Sequence, residues 1–252
     1  MHRMNDVCAV VLAAGKGTRM KSEKPKVAVE LLGKPLLHYV LDSIKQAGID
    51  KIIIVVGYKK EKVISLCSSY EMIEFVEQKE QLGTGHALLT AETVLQSFQG
   101  QVLVACGDVP LIQPKTITAL LTEAQGHEYP ASVLSSEAIP PDGYGRIVRT
   151  STNKIEKIVE HKDASPQERA ITEINTGTYT FQSPAIFEKL HTIGNSNAQG
   201  EYYLPDIIHK YTSEGKTCGV MKLQNSWECS GVNSQQDLQK LAQYMEEGKH
   251  IA

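Results

Sequence analysis

A chain of 252 residues, 41% hydrophobic and 22% charged, has the length for one large α/β domain and enough apolar content to bury a core, which excludes global disorder. Its formal net charge of −3 has the wrong sign for a dedicated nucleic-acid binder. The five cysteines are dispersed without a CxxC pair and the eight histidines form no HxxxH or HExxH, so neither a disulfide framework nor a zinc site is indicated.

Val7 to Leu12 is a continuous apolar run ending in Ala-Ala-Gly, the pattern of a buried strand feeding a loop. It reaches glycine too soon for a signal peptide or a membrane span, so the chain is expected to be cytoplasmic and without a membrane partner. From Pro35 to Ala47, apolar residues at Leu36, Leu37, Val40, Leu41 and Ile44 have the spacing of a helix with one buried face, and Gly48 ends it. Ile52 to Val56 reads as a strand, Glu61 to Ser69 as a helix, Ile73 to Val76 as a strand and His86 to Leu95 as a helix. Val102 to Cys106 and Thr116 to Ala124 continue the alternation. Such a series predicts right-handed crossovers and a mostly parallel sheet with helices on both faces.

After residue 130 the pattern changes. Val133, Tyr144 to Val148, Ile155 to Val159 and Ile174 to Phe181 are short strand-like runs that suggest an antiparallel lobe. Helices return at Pro184 to His191, Leu204 to Glu214 and Ser234 to Glu247. No repeat or linker interrupts the chain, so a single domain over 1–252 is expected, with a nucleotide-binding lobe over about 1–130, a second lobe over about 131–233 and a C-terminal helix and tail.

In open α/β sheets ligands bind beyond the carboxyl ends of the strands, and three such places stand out. The first is Leu12, Ala13, Ala14, Gly15, Lys16, Gly17, Thr18, Arg19 and Met20, continuing to Pro25 and Lys26. Gly15 and Gly17 permit tight turns with inward-facing amides, and Lys16, Arg19, Lys21, Lys24 and Lys26 crowd around them, a setting suited to a polyanion. The same lysines also describe a solvated basic loop. The string is neither a dinucleotide fingerprint, because Met20 stands at the third glycine, nor a P-loop. The second place is Gln78 with Gln81, Gly83, Thr84, Gly85 and His86. A glutamine amide matches the imide edge of a pyrimidine, although Gly-Thr-Gly is also a common turn into a helix. The third is Gly107-Asp108, where a carboxylate at a strand end can hold Mg²⁺ or simply cap a turn.

Together these segments resemble the sugar-phosphate nucleotidyltransferases, and within them the uridylyltransferase domains of bacterial bifunctional N-acetylglucosamine-1-phosphate uridyltransferases. The pattern L-x-x-G-x-G-T-R-M followed by P-K is intact, and Gly143 to Ile147, Ile158 to Asp163, Ile174 to Gly177, Asn197 to Tyr203 and Gly231 to Asn233 follow in family order. The resemblance implies a Rossmann-like nucleotide-diphospho-sugar transferase fold with a small antiparallel sugar-binding lobe. It also implies UTP and a sugar-1-phosphate as substrates, with Mg²⁺ as cofactor. On that basis Arg19 and Lys26 would hold phosphates, and Leu12, Ala13, Ala14, Gly15 and Gly17 would line the nucleoside and its phosphates. Gln78 and Gly83 would read uracil, Thr84, Gly145, Glu160 and Asn175 would contact the sugar, and Asp108 and Asn233 would hold the metal. Full-length bifunctional relatives continue into a hexapeptide β-helix, whereas this chain ends at Ala252, so acetylation is expected to be absent. Two other expectations remain in play: a uridylyltransferase for another sugar-1-phosphate such as glucose-1-phosphate, and a catalytically silent nucleotide-binding module.

Overall fold

The computed structural model describes residues 6–17, 20, 23–138 and 140–248. Strand β1 (Val7–Leu12) carries no polar residue because it lies at the centre of a parallel sheet with both faces covered. A short hairpin, β2 (Glu30–Leu31) and β3 (Lys34–Pro35), leads into helix α1 (Leu36–Gln46), followed by β4 (Lys51–Val56), α2 (Lys60–Leu66) and β5 (Ile73–Glu77). Helices α3 (Thr84–Leu89) and α4 (Glu92–Leu95) precede β6 (Gly100–Cys106) and α5 (Pro114–Gly126). Gly48 follows α1 with φ of 85°, as expected of a glycine just past a helix end. The single helix expected from His86 to Leu95 is instead two. Thr90 turns its hydroxyl back onto the Ala87 carbonyl at 2.7 Å, a bond that competes with the helical ladder.

The second half adds β7 (Ala131–Glu137), β8 (Arg146–Arg149), β9 (Ile155–Val159), α6 (Pro166–Arg169) and β10 (Glu173–Ser183). After these come α7 (Ala185–Leu190), α8 (Asp206–Ser213), β11 (Gly219–Lys222) and α9 (Gln235–Glu246). The sheet runs in the order β11-β7-β10-β6-β1-β4-β5. All pairings on this path are parallel except the two made by β10. Thus β7 and β10 belong to the central sheet, and the small antiparallel piece is the β8–β9 pair, attached through β10.

Alternate residues of the buried strands feed two cores. Val7, Ala9 and Val11 pack with Leu37, Leu41 and Ile44 of α1 and Leu120 of α5 on one face. Cys8 and Val10 pack with Leu88 of α3, Phe187 of α7 and Ile208 of α8 on the other. A third cluster, Met20, Leu31, Leu36, Val232, Leu241 and Tyr244, binds α9 to the hairpin. Ser234 caps α9 through a reciprocal box with Asp237.

Strand β10 is irregular where it matters. Asn175 faces Ser135 and Tyr179 faces Val133, so four residues of β10 span two of β7. Gly177 sits in this bulge with φ of 80°, and a Cβ there would lie 3.1 Å from Cys106 Sγ. The bulge therefore needs glycine both for backbone and for space.

Candidate active site

Beyond the carboxyl ends of β1, β5 and β6 the backbone keeps bonding after the strands end. The Ala13 N–H reaches the Val55 carbonyl at 2.9 Å, Gly107 N–H reaches Leu12 at 3.0 Å and Gln78 N–H reaches Val56 at 2.8 Å. These links hold the three loops picked out by sequence around one cavity of about 260 Å³. Leu12, Ala13, Ala14, Gly15, Lys26, Gln78, Gly83, Thr84 and Asp108 all line it. Gly17 lies against the Lys26 side chain instead. Arg19 lies outside the described residues.

A short 3₁₀ turn, Lys26–Ala28, follows Pro25 and buries Val27 and Ala28, which points Lys26 back across the loop. Its ammonium forms an ion pair with Asp108 Oδ2 and donates to Asn233 Oδ1 at 2.6 Å. Asn233 reaches this place by a return from the far end of the chain. A 3₁₀ turn at Ser226–Cys229 presents Glu228, which accepts from Gln113 N–H at 3.1 Å and from the Thr116 hydroxyl at 2.5 Å at the start of α5. The Val232 N–H then donates to the Asp108 carbonyl at 3.0 Å. Asp108 and Asn233 thus present two hard oxygens to one cation, here the lysine ammonium. Among the described residues no group of three or more His, Cys, Asp or Glu forms a metal cluster. Two oxygens suit an ion that keeps water and substrate phosphates, such as Mg²⁺, and do not suit zinc.

A second cavity of about 190 Å³ adjoins the first, with Leu12, Thr84 and Cys106 in both linings. Gly145, Glu160 and Asn175 line it together with Gly177 and Tyr179. Asn175 is tied on every side: its N–H donates to the Gly145 carbonyl at 2.9 Å, its amide to Tyr179 Oη at 2.7 Å, and its Oδ1 accepts from Gly177 N–H at 3.1 Å. Thr84 accepts from Leu204 N–H at 3.1 Å. Burial raises the Glu160 carboxyl to about 7, with Asp206, Asp163 and Glu201 pushing the same way and Arg146 opposing them. Arg146 is itself fully buried and donates to the carbonyls of Tyr144 and Arg169, stitching the Gly143–Gly145 loop to α6.

Sequence reasoning assigned no role to Cys106, Gly177, Tyr179 or Glu201. Cys106 was one dispersed thiol among five, yet it is the last residue of β6 and stands where the two cavities meet. Burial pushes this thiol up to about 12, so it is neutral and structural.

Residues 9–198 match the MobA-like NTP transferase domain family. The chain belongs to this family. This NTP transferase domain places its glycine-rich first loop, Gln78 and Asp108 around one cavity. Close relatives carry the name Bifunctional protein GlmU. That of Geobacillus sp. (strain WCH70) is 47% identical across 95% of this chain and 52% of its own length. That of Halalkalibacterium halodurans is 43% identical across 96% and 53%, and that of Listeria monocytogenes serotype 4a 44% across 94% and 52%. The chain therefore spans about half the length of the curated relatives it matches. Among the described residues no helix of this transferase domain is long and apolar enough to cross a membrane.

Proposed function

We propose that the chain is a Mg²⁺-dependent uridylyltransferase that forms UDP-N-acetylglucosamine and pyrophosphate from UTP and N-acetylglucosamine-1-phosphate. The observation that carries this reading is the pair of adjoining cavities. The larger, with Gln78 and Gly83, suits a nucleotide, and the smaller, with Glu160 and Asn175, suits a sugar. Relatives named GlmU support the same choice of substrates.

In this mechanism an oxygen of the sugar phosphate, already an anion, attacks the α-phosphorus of UTP in line. A new P–O bond forms as the bond to the β-phosphate bridging oxygen breaks, and pyrophosphate leaves with that electron pair. No general base is required. Lys26 offsets the charge that moves onto the bridging oxygen, and Arg19 is assigned the same task from the sequence motif. Asp108 and Asn233 would hold Mg²⁺, which supplies charge neutralisation to the phosphates when bound. Glu160 accepts from sugar hydroxyls, and the Asn175 network keeps the wall facing the sugar rigid.

The test is pyrophosphate release from UTP and Mg²⁺ with N-acetylglucosamine-1-phosphate or glucose-1-phosphate, with and without chelator. Release with the acetylated sugar alone, lost on chelation, is expected. Equal release with both sugars removes the substrate assignment. No release with either, from folded protein that still binds UTP, leaves a silent nucleotide-binding module.

A further inference from the structure

We infer that His86 is a positioning residue that sets the base preference of the nucleotide cavity by fixing how Gln78 presents its side-chain amide. The inference deepens the uridylyltransferase reading and rests on it. Gln78 is only 3% exposed, yet it lines the cavity. Its Nε2 donates to the Gly83 carbonyl at 3.0 Å and lies 3.1 Å from His86 Nδ1. An amide nitrogen has two hydrogens, and both now have acceptors. His86 accepts the second of these through Nδ1 in the tautomer that carries its ring proton on Nε2.

Oε1 is the polar atom of that amide left for a ligand. Rotating the amide by half a turn would set its oxygen against the Gly83 carbonyl, and against Nδ1 as well unless the ring proton moved, acceptors facing an acceptor in a buried place. Gln78 is therefore held as an acceptor toward the base. Uracil offers an N–H at N3, whereas cytosine offers a lone pair there. A freely rotating glutamine would satisfy either ring; this one satisfies the imide. His86 comes to this position because Gly83 caps the start of α3, which puts residue 86 in the first helical turn, near the Tyr202 ring at 6.5 Å.

The test compares wild type, His86→Phe, which keeps a ring without an acceptor, and His86→Asn, whose side-chain oxygen can accept where Nδ1 does. The readouts are kcat/KM for UTP and for CTP with N-acetylglucosamine-1-phosphate, and calorimetric binding of each nucleotide alone. The expected result is a UTP-over-CTP preference that falls about fivefold to tenfold in H86F, the scale of one hydrogen bond, and stays within about threefold of wild type in H86N. An unchanged preference in H86F, equal losses for both nucleotides, or an H86N that falls as far as H86F would overturn the inference. Wild-type protein that prefers UTP in binding but releases no pyrophosphate would instead defeat the uridylyl-transfer reading. The binding ratios of the variants would then still decide the role of His86.

Discussion

Replacing Lys26 by Met removes the ammonium and keeps the stem, so the change isolates one charge. That charge has two duties with different magnitudes. In the ligand-free protein it pairs with Asp108 and bonds Asn233 at 2.6 Å, and the two charged side chains are 17% and 18% exposed. A charge-assisted bond of this kind contributes about 1.5–3 kcal/mol when dry; with this much water access, about 1–2 kcal/mol of folding stability is the expected loss. In the proposed reaction the same group would be a preorganised electrostatic contact, worth about 2.7–4 kcal/mol, or ~10²–10³ in kcat. Denaturant titration reads the first quantity and pyrophosphate release the second. Asp108→Asn and the double variant complete a cycle: the Lys26 and Asp108 losses in stability should fall short of additive by about 1 kcal/mol. A Lys26→Met enzyme with kcat within threefold of wild type would refute the phosphate role. Strict additivity would refute the pairing as an energetic fact.

Glu160→Gln tests the smaller cavity. A carboxyl raised to about 7 in the folded state contributes stability that is fully present below the unfolded value of ~4.3 and is lost as pH rises through 7. The glutamine variant should thus be more stable than wild type at pH 8, by up to about 3 kcal/mol, while its KM for the sugar phosphate rises. Equal stability at pH 5 and 8 relative to wild type would show that the site does not hold the proton. Gly83→Ala places a Cβ 2.7 Å from the Tyr202 carbonyl at a φ of 106°, and should cost about 2–4 kcal/mol in denaturant unfolding, with a raised KM for UTP. A cost below about 1 kcal/mol would mean that the 201–203 segment yields freely.

The parts of the site legible in the sequence are those where a parallel strand ends. Leu12 through Gly15, Gln78 and Asp108 all follow the ends of parallel strands, and a rule about carboxyl ends finds them. Asn175 obeys no such rule. Strand β10 is antiparallel to β6, so its beginning, not its end, lies at the ligand edge, and only the family resemblance brought Asn175 forward. Gly177 and the bulge have no signature beyond one glycine in a strand. Strand β11 escaped because Gly219, Val220, Met221 and Lys222 are half-covered at a sheet edge and show no alternation. Asn233 was likewise visible only by resemblance. Its place depends on the Glu228 contacts with α5 and the Val232 bond to Asp108, which join distant parts of the chain.

The reversal of β10 also explains why one crevice holds two adjoining cavities. A sheet of parallel strands alone would offer a row of strand ends and the loops that follow them. Here the loops after β1 and β5 wall the larger cavity, while on the far side of β6 the first residues of β10 and the residues flanking the β8–β9 pair, Gly143 to Gly145 and Glu160, wall the smaller one. Leu12 and Cys106, which line both, are register partners in the β1–β6 pairing. The two cavities therefore meet above a single cross-strand pair at the rigid centre of the sheet. Asp108 lies two residues beyond Cys106, and Lys26 and Asn233 converge on it. A nucleotide and a sugar phosphate seated in these cavities would bring their phosphates together at that seam, where the cationic group is held. Positioning of this kind asks little of the chain chemically and much of it geometrically, which is why the groups at the seam are fixed by backbone bonds and buried partners.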